Sequence, residues 1–330
     1  MPDKIIGISL GDPAGIGPEV FLKAFREISA EGFIPLVSGD IPVLERNFES
    51  LGISYRINKV VKADDIRKDR LNVYSAGIIT RKDFPAGKDS KICGMASFAY
   101  VENAVKLWKE GITDALVTLP ISKKAWHLAG KKYAGHTEYL ASALGCKSHA
   151  MIMAAGRIRA LLVTTHVPLK EVPAILTSKL IVEKAIVAYR FLKESGIVNP
   201  SIAFAALNPH AGEDGILGTE EKTVISPAIS TLKQRGITCT GPMPADSVFR
   251  AALDGKADMV AAMYHDQAMI PLKTFYPGKL VNCTAGLKMV RTSPGHGTAF
   301  DISYSNSADP SSFIEAFRMA ACILEKRPLA

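Results

Sequence analysis

Short, unbroken apolar runs recur along the chain at residues 5–10, 34–37, 115–119, 160–163, 202–207 and 259–263. Continuous runs of this length suit strands buried on both faces, the condition of a parallel sheet covered by helices. Between them lie helical stretches. Residues 18–25 follow a glycine-rich turn, and residues 97–108 and 181–192 carry apolar side chains at helical spacing. The alternation predicts an α/β chain. No internal repeat or low-complexity linker interrupts it, so domain boundaries have to come from motif positions. The longest apolar stretch, residues 150–163, is broken by Arg157 and Arg159. It falls short of the roughly 20 residues that span a bilayer, and no membrane segment is expected.

The turns after the strands carry the chemistry. In open parallel sheets ligands bind beyond the carboxyl ends of strands, where loops converge and helix N-termini point. Leu10 opens into Gly11-Asp12-Pro13-Ala14-Gly15-Ile16-Gly17-Pro18-Glu19, and Leu119 into Pro120-Ile121-Ser122-Lys123. The next three runs each lead to a histidine: Thr164-Thr165-His166, Asn208-Pro209-His210 and Tyr264-His265-Asp266. Three neutral imidazoles carried on one end of a sheet form a site for Zn²⁺ or a similar divalent ion with a position left open for substrate. Taken singly, each His caps a strand or bonds a loop carbonyl. Their matching positions favour a ligand set. Asp266 is either the acceptor that orients the His265 ring or a cap of the following helix.

Composition narrows the class. A chain of 330 residues suits two domains, and 48% hydrophobic with 22% charged residues is a globular balance. The formal charge of +8 is scattered, as in Arg67-Lys68-Asp69-Arg70, and aromatics are 7%. That argues against nucleic acid and for anionic small molecules. Lys123 and Lys124 read as solvated surface charges. Five separated cysteines with no Cys-x-x-Cys, and an N-terminus without the features of a signal peptide, predict a reduced, cytoplasmic protein.

Several longer motifs occur in order from residue 7 to near residue 303. They are Gly11–Glu19, Gly135-His136-Thr137-Glu138, Asn208-Pro209-His210-Ala211-Gly212-Glu213, Gly241-Pro242-Met243-Pro244-Ala245-Asp246, Tyr264-His265-Asp266-Gln267, and Arg291-Thr292-Ser293 with His296-Gly297-Thr298. In these the chain resembles the 4-hydroxythreonine-4-phosphate dehydrogenase family of vitamin B6 biosynthesis, including its 4-phospho-D-threonate and 4-phospho-D-erythronate dehydrogenase paralogues. The resemblance implies two α/β/α domains of the isocitrate and isopropylmalate dehydrogenase type with an interdomain cleft. From it we expect a first domain of residues 1–130 plus 280–330, and a second of residues 131–279 bearing metal ligands and a dimer interface. It implies a homodimer whose metal site draws on both subunits. It places the metal on His166, His210 and His265, with Zn²⁺ expected and Mg²⁺ or Co²⁺ as alternatives. Substrate contacts fall on His136, Thr137, Lys273, Asn282 and Arg291. Arg offers phosphate a planar fork of donors, Lys a point charge and Asn an orienting amide. Asp246 and His136 are the candidates for the base, and Asp246 is equally placed to cap a helix.

Neither Gly15-Ile16-Gly17, followed by Val20, nor Gly295-His296-Gly297, followed by Phe300, completes a Rossmann fingerprint. Both sets of glycines suit either a backbone approach to phosphate or tight turns. NAD, with NADP as the alternative, therefore follows from the resemblance, which puts it partly along residues 292–301, on Thr292, Ser293, Gly295 and Asp301. The chain departs from the family's usual pattern at Gly295, at Lys288 and at Ala268, near the expected cofactor and substrate contacts. The implied reaction is oxidation and decarboxylation of 4-phosphohydroxy-L-threonine to 3-amino-2-oxopropyl phosphate. The alternative substrates are 4-phospho-D-threonate and 4-phospho-D-erythronate, giving dihydroxyacetone phosphate. A non-catalytic phosphometabolite sensor on the same scaffold is the reading from another class.

Overall fold

In a computed structural model the described residues are 4–327, and contacts divide them into two compact units. One unit runs to Gly145 and includes Leu287–Leu324; the other holds Cys146–Gly286 and the residues from Glu325 on.

The first unit begins β1 (Ile5–Ser9), α1 (Gly17–Ser29), β2 (Ile34–Ser38), α2 (Ile41–Leu51), β3 (Ile57–Lys59) and β4 (Leu71–Tyr74). It continues through α3 (Lys91–Lys109), β5 (Ala115–Thr118), α4 (Lys123–Leu128) and α5 (His136–Ala143). The second unit contains β6 (Ala150–Ala155), β7 (Ile158–Leu162), α6 (Val172–Ile175), α7 (Ser178–Glu194), β8 (Ser201–Ala205), α8 (Ser226–Gln234) and β9 (Thr238–Met243). Its remaining elements are α9 (Ala245–Leu253), β10 (Met259–Ala262), α10 (His265–Phe275) and β11 (Val281–Ala285). The chain then re-enters the first unit with β12 (Val290–Pro294) and α11 (Ser311–Glu325).

The α/β reading of the sequence holds. All six apolar runs form strands, β1, β2, β5, β7, β8 and β10, and the three helical stretches lie in α1, α3 and α7. In the first unit the strand order is β3-β4-β2-β1-β5-β12, and every pairing is parallel. Strand order reverses between β1 and β5, the kind of point at which open sheets take up ligands.

The second unit is mixed. Its order is β11-β6-β7-β10-β8-β9, parallel from β7 to β9 but antiparallel at β6. The apolar stretch at 150–163 is therefore not one element but a hairpin, β6–β7, turned at Gly156, which holds φ +50°. Pairing of β11 with β6 keeps residues 281–285 in the second unit, while α5 stays with the first, where Tyr139 and Leu140 pack beside Phe98 and Trp126. A separate cluster of Ile158, Ala160, Leu162, Ala203, Val260 and Leu272 fills the second unit. Among the described residues no helix is long and apolar enough to cross a membrane.

Candidate functional site

In the first unit the chemistry gathers where β1, β5 and β12 end. Arg291 lies on β12 beside Leu116 of β5 and is only 4% exposed. Its Nε and Nη2 both donate to Thr118 Oγ1, at 3.1 and 2.6 Å, so the hydroxyl that closes β5 fixes the guanidinium. His136 opens α5 with its ring edge-on to Trp126 at 5.6 Å, and Trp126 is anchored by its indole N–H to Ser97 Oγ. His136 Nε2 is sealed from solvent without a hydrogen-bond partner. Burial first, and the Arg291 charge second, hold this imidazole's pKa well below its ordinary value. A neutral imidazole nitrogen next to a buried cation can receive a polar, anionic group. Thr137 follows on the same helix and is half-buried.

The glycine-rich exit of β1 packs against its own chain. Gly11, at φ +78°, brings the backbone so near β5 that a Cβ would lie 2.5 Å from Pro120 O. A Cβ on Gly15 would lie 2.8 Å from Thr298 O, which accepts the Ile16 N–H. The glycines thus join the β1 exit to the loop after β12. On β12 itself Thr292 is fully buried with its hydroxyl donating to Ala316 O, and in the loop the Gly295 N–H donates to Ser312 Oγ. Ser293 is buried, and Asp301 stands exposed on a short 3₁₀ turn.

Two groups here escaped the sequence reading. His296 Nδ1 lies 3.0 Å from Gly297 O, the place of a donated N–H, and its Nε2 is buried and unpartnered. Burial lowers its pKa, which favours the neutral ring. Asp12 accepts the Ala14 N–H through Oδ1, while Oδ2 is buried without a partner. Burial is the main reason its pKa rises to about 6. The sequence signals for them were a place in a strand-exit loop and in a motif that carries the resemblance.

In the second unit β7, β10 and β8 are successive parallel neighbours, and each exit carries one of the three histidines. Buried polar side chains tie these exits together. Thr164 Oγ1 donates to Met263 O at 2.6 Å, and Gln267 accepts the Met263 N–H while donating to Ala206 O. The rings of His166 and His265 stand 5.5 Å apart. Two imidazoles on one tetrahedral ion, each at about 2 Å from it, place their centroids about 5 Å apart, so the pair fits a shared ion. Asp266 Oδ1 lies 2.9 Å from His265 Nδ1; of the two roles open to Asp266, this is the orienting one, and it leaves Nε2 to face a ligand. His210 is exposed, in a turn where residues 210–214 all have positive φ. It does not join the pair within one chain. Among the described residues no group of three His, Cys, Asp or Glu side chains is close enough to hold an ion. Lys273 is exposed on α10, Asp246 is exposed in the first turn of α9, and Asn282 on β11 buries an unpartnered Oδ1.

Comparison with known proteins places these features. Residues 31–320 match the family model of the pyridoxal phosphate biosynthetic protein PdxA. The chain is 42% identical over 326 residues to a 4-hydroxythreonine-4-phosphate dehydrogenase of Sulfurihydrogenibium sp., covering 98% of each chain. It is 38% identical over 330 residues to the D-threonate 4-phosphate dehydrogenase of Salmonella typhimurium, covering 97% of this chain and 99% of that one. The crystal structure of 4-hydroxythreonine-4-phosphate dehydrogenase from Klebsiella pneumoniae superposes with a TM-score of 0.90 at 35% identity, covering 98% of this chain and 100% of that one. The chain belongs to the PdxA family and is an oxidoreductase of the dehydrogenase type.

Proposed function

We propose that the protein is an NAD-dependent, divalent-metal-assisted dehydrogenase, with NADP as the alternative cofactor, that oxidises and decarboxylates 4-phosphohydroxy-L-threonine. The observation that carries this reading is the sealed pair of the first unit. His136 presents a bare, neutral imidazole nitrogen beside the buried Arg291 cation. In this reading Arg291 and Lys273 receive the phosphate, and Asn282 and Thr137 orient the rest of the substrate. His136 Nε2 meets a polar group near the reacting carbon. A low pKa suits it to hydrogen bonding more than to holding a proton, which leaves Asp246 as the candidate base. Residues 292–301 line the cofactor, with His296 Nε2 offering an acceptor to one of its hydroxyl or amide donors. His166 and His265, with His210 supplied across a homodimer, hold Zn²⁺ or, as alternatives, Mg²⁺ or Co²⁺. When bound, the ion would supply a Lewis acid for the substrate oxygens and the nicotinamide a hydride acceptor. Five separated cysteines with no Cys-x-x-Cys among them are in keeping with work in the cytoplasm.

A second reading has a specific observation behind it, since relatives of nearly equal identity act on D-threonate 4-phosphate by name. An NADH absorbance assay with 4-phosphohydroxy-L-threonine and 4-phospho-D-threonate side by side decides between them. Turnover of neither, in protein supplied with divalent metal, overturns both and leaves a sensor.

A further inference from the structure

Glu221 is a buried carboxylate, 3% exposed, with no part in the chemistry described so far. Its Oε1 accepts the backbone N–H groups of Leu207 and Asn208, each at 2.8 Å. Its Oε2 accepts Asn208 Nδ2 at 3.0 Å, and the same amide donates to Glu220 Oε2 at 2.7 Å. Leu207 and Asn208 are the exit of β8, directly before Pro209 and His210. Burial alone would raise the carboxyl's pKa, but these hydrogen bonds outweigh it and the net shift is downward, so the anchor stays charged.

What the anchor holds is strained. His210, Ala211, Gly212, Glu213 and Asp214 all have φ between 41° and 79°, and four of the five are not glycine. Such a run persists only where its surroundings over-determine it. The one glycine sits on the anchor itself, for a Cβ on Gly212 would lie 2.7 Å from Glu221 Oε2. A Cβ on Gly218 would overlap the Asn208 amide. The carboxylate therefore holds the start of the turn by hydrogen bonds and packs against its middle, with His210 between.

We propose that Glu221 is a positioning residue, which clamps the β8 exit so that His210 is presented as a metal ligand. This rests on the reading of His210 as a ligand given above. The test is titration of the purified, full-length, metal-free protein with Co²⁺, followed by calorimetry and by the visible spectrum, alongside thermal melting. In Glu221→Gln the amide nitrogen faces the Asn208 amide, donor against donor, while the shape is kept. Removing a partner that orients a ligand weakens metal binding about 10–100-fold. We expect Glu221→Gln to lose about tenfold in Co²⁺ affinity with the wild-type spectrum, because the ligands are unchanged. His210→Ala should lose more and change the spectrum. A merely structural Glu221 would lower the melting temperature and leave affinity unmoved well below it, which overturns the proposal while His210→Ala remains weakened. Wild-type affinity in His210→Ala overturns the ligand reading and the proposal with it. If Glu221→Gln does not fold, Asn208→Ala, which keeps both backbone bonds to Oε1, takes its place. A several-fold loss is then expected, and unchanged affinity overturns the proposal.

Discussion

In the first unit most groups of chemical interest are sealed, Asp301 apart: Arg291 and Asp12 are buried, and the Nε2 atoms of His136 and His296 are shut away from water. In the second most of them stand at the rim, with His166, His210, Lys273 and Asp246 all exposed and the partly buried Asn282 an exception. The difference separates two ways of preparing a site. A buried group has its ionisation set by the fold, through desolvation and fixed neighbours. An exposed group is prepared through where the fold makes it stand, here through Thr164, Gln267 and Glu221. Substitutions in the second unit should therefore act on ligand affinity, and those in the first on pKa, turnover and stability.

The largest effect should come from breaking the rim. His265→Ala should weaken Co²⁺ binding at least about 100-fold, because losing a ligand exceeds the roughly 10–100-fold cost of losing its orienting partner. Asp266→Ala should fall near the lower end of that range. Calorimetric titration checks both. Equal, small losses would mean that the 5.5 Å pairing of His166 and His265 is fortuitous.

Next comes the sealed cation. Charge-assisted hydrogen bonds contribute on the order of 1.5–3 kcal/mol each, so Arg291→Ala should lower kcat/KM about 10–100-fold. Arg291→Lys should recover part of this, since a point charge does not reproduce the fork. Metal content should remain at the wild-type level. On dephosphorylated substrate wild type and variant should converge, and an equally large gap there would show that Arg291 does not read phosphate.

Smaller again is a change to packing alone. Gly15→Ala puts a methyl group 2.8 Å from Thr298 O and 3.0 Å from Thr298 Cβ. Overpacking of this kind destabilises by about 1–3 kcal/mol. Urea unfolding should show it as a lower midpoint at unchanged slope, with Co²⁺ affinity untouched.

How much of this the sequence disclosed depends on the range of the signal. Parallel strands buried on both faces leave continuous apolar runs, and six of those were legible, as were the histidines at three of their ends. Within residues 150–163 the run at 160–163 marked β7, while β6 stayed hidden because the two strands of a buried hairpin merge into one apolar stretch until a turn is placed at Gly156. β3, at three residues, and β9, which has exposed positions, carry too little apolar periodicity to stand out. The supports were illegible for a different reason. Thr118 meets Arg291 across 173 positions, and Gln267 meets Ala206 across 61, and nothing in a lone Thr or Gln announces such a partner. His296 and Asp12 were passed over because a bare buried atom is a property of packing, not of residue type.

The smallest net effect has the sharpest sign. Asp12 is raised from its ordinary value near 3.8 to about 6, mainly by burial. The folded protein therefore binds this proton more tightly than the unfolded chain. The stability that goes with the proton is fully present below the unfolded pKa and is lost as pH rises through the folded one. The gap corresponds to about 3 kcal/mol over the whole transition, most of it lost between pH 4 and pH 8. Asp12→Asn keeps the Oδ1 acceptor for the Ala14 N–H and cannot ionise, so it removes this dependence. It also puts an unpaired amide N–H where Oδ2 had no partner, a constant cost of about 1–3 kcal/mol. The two contributions leave the variant less stable than wild type near pH 4 and about 1 kcal/mol more stable near pH 8, with a crossover between. Denaturant unfolding of both proteins at a series of pH values checks it. Parallel stability curves would show that Asp12 is already ionised and satisfied in the fold, and that the first unit is less sealed than its buried groups indicate.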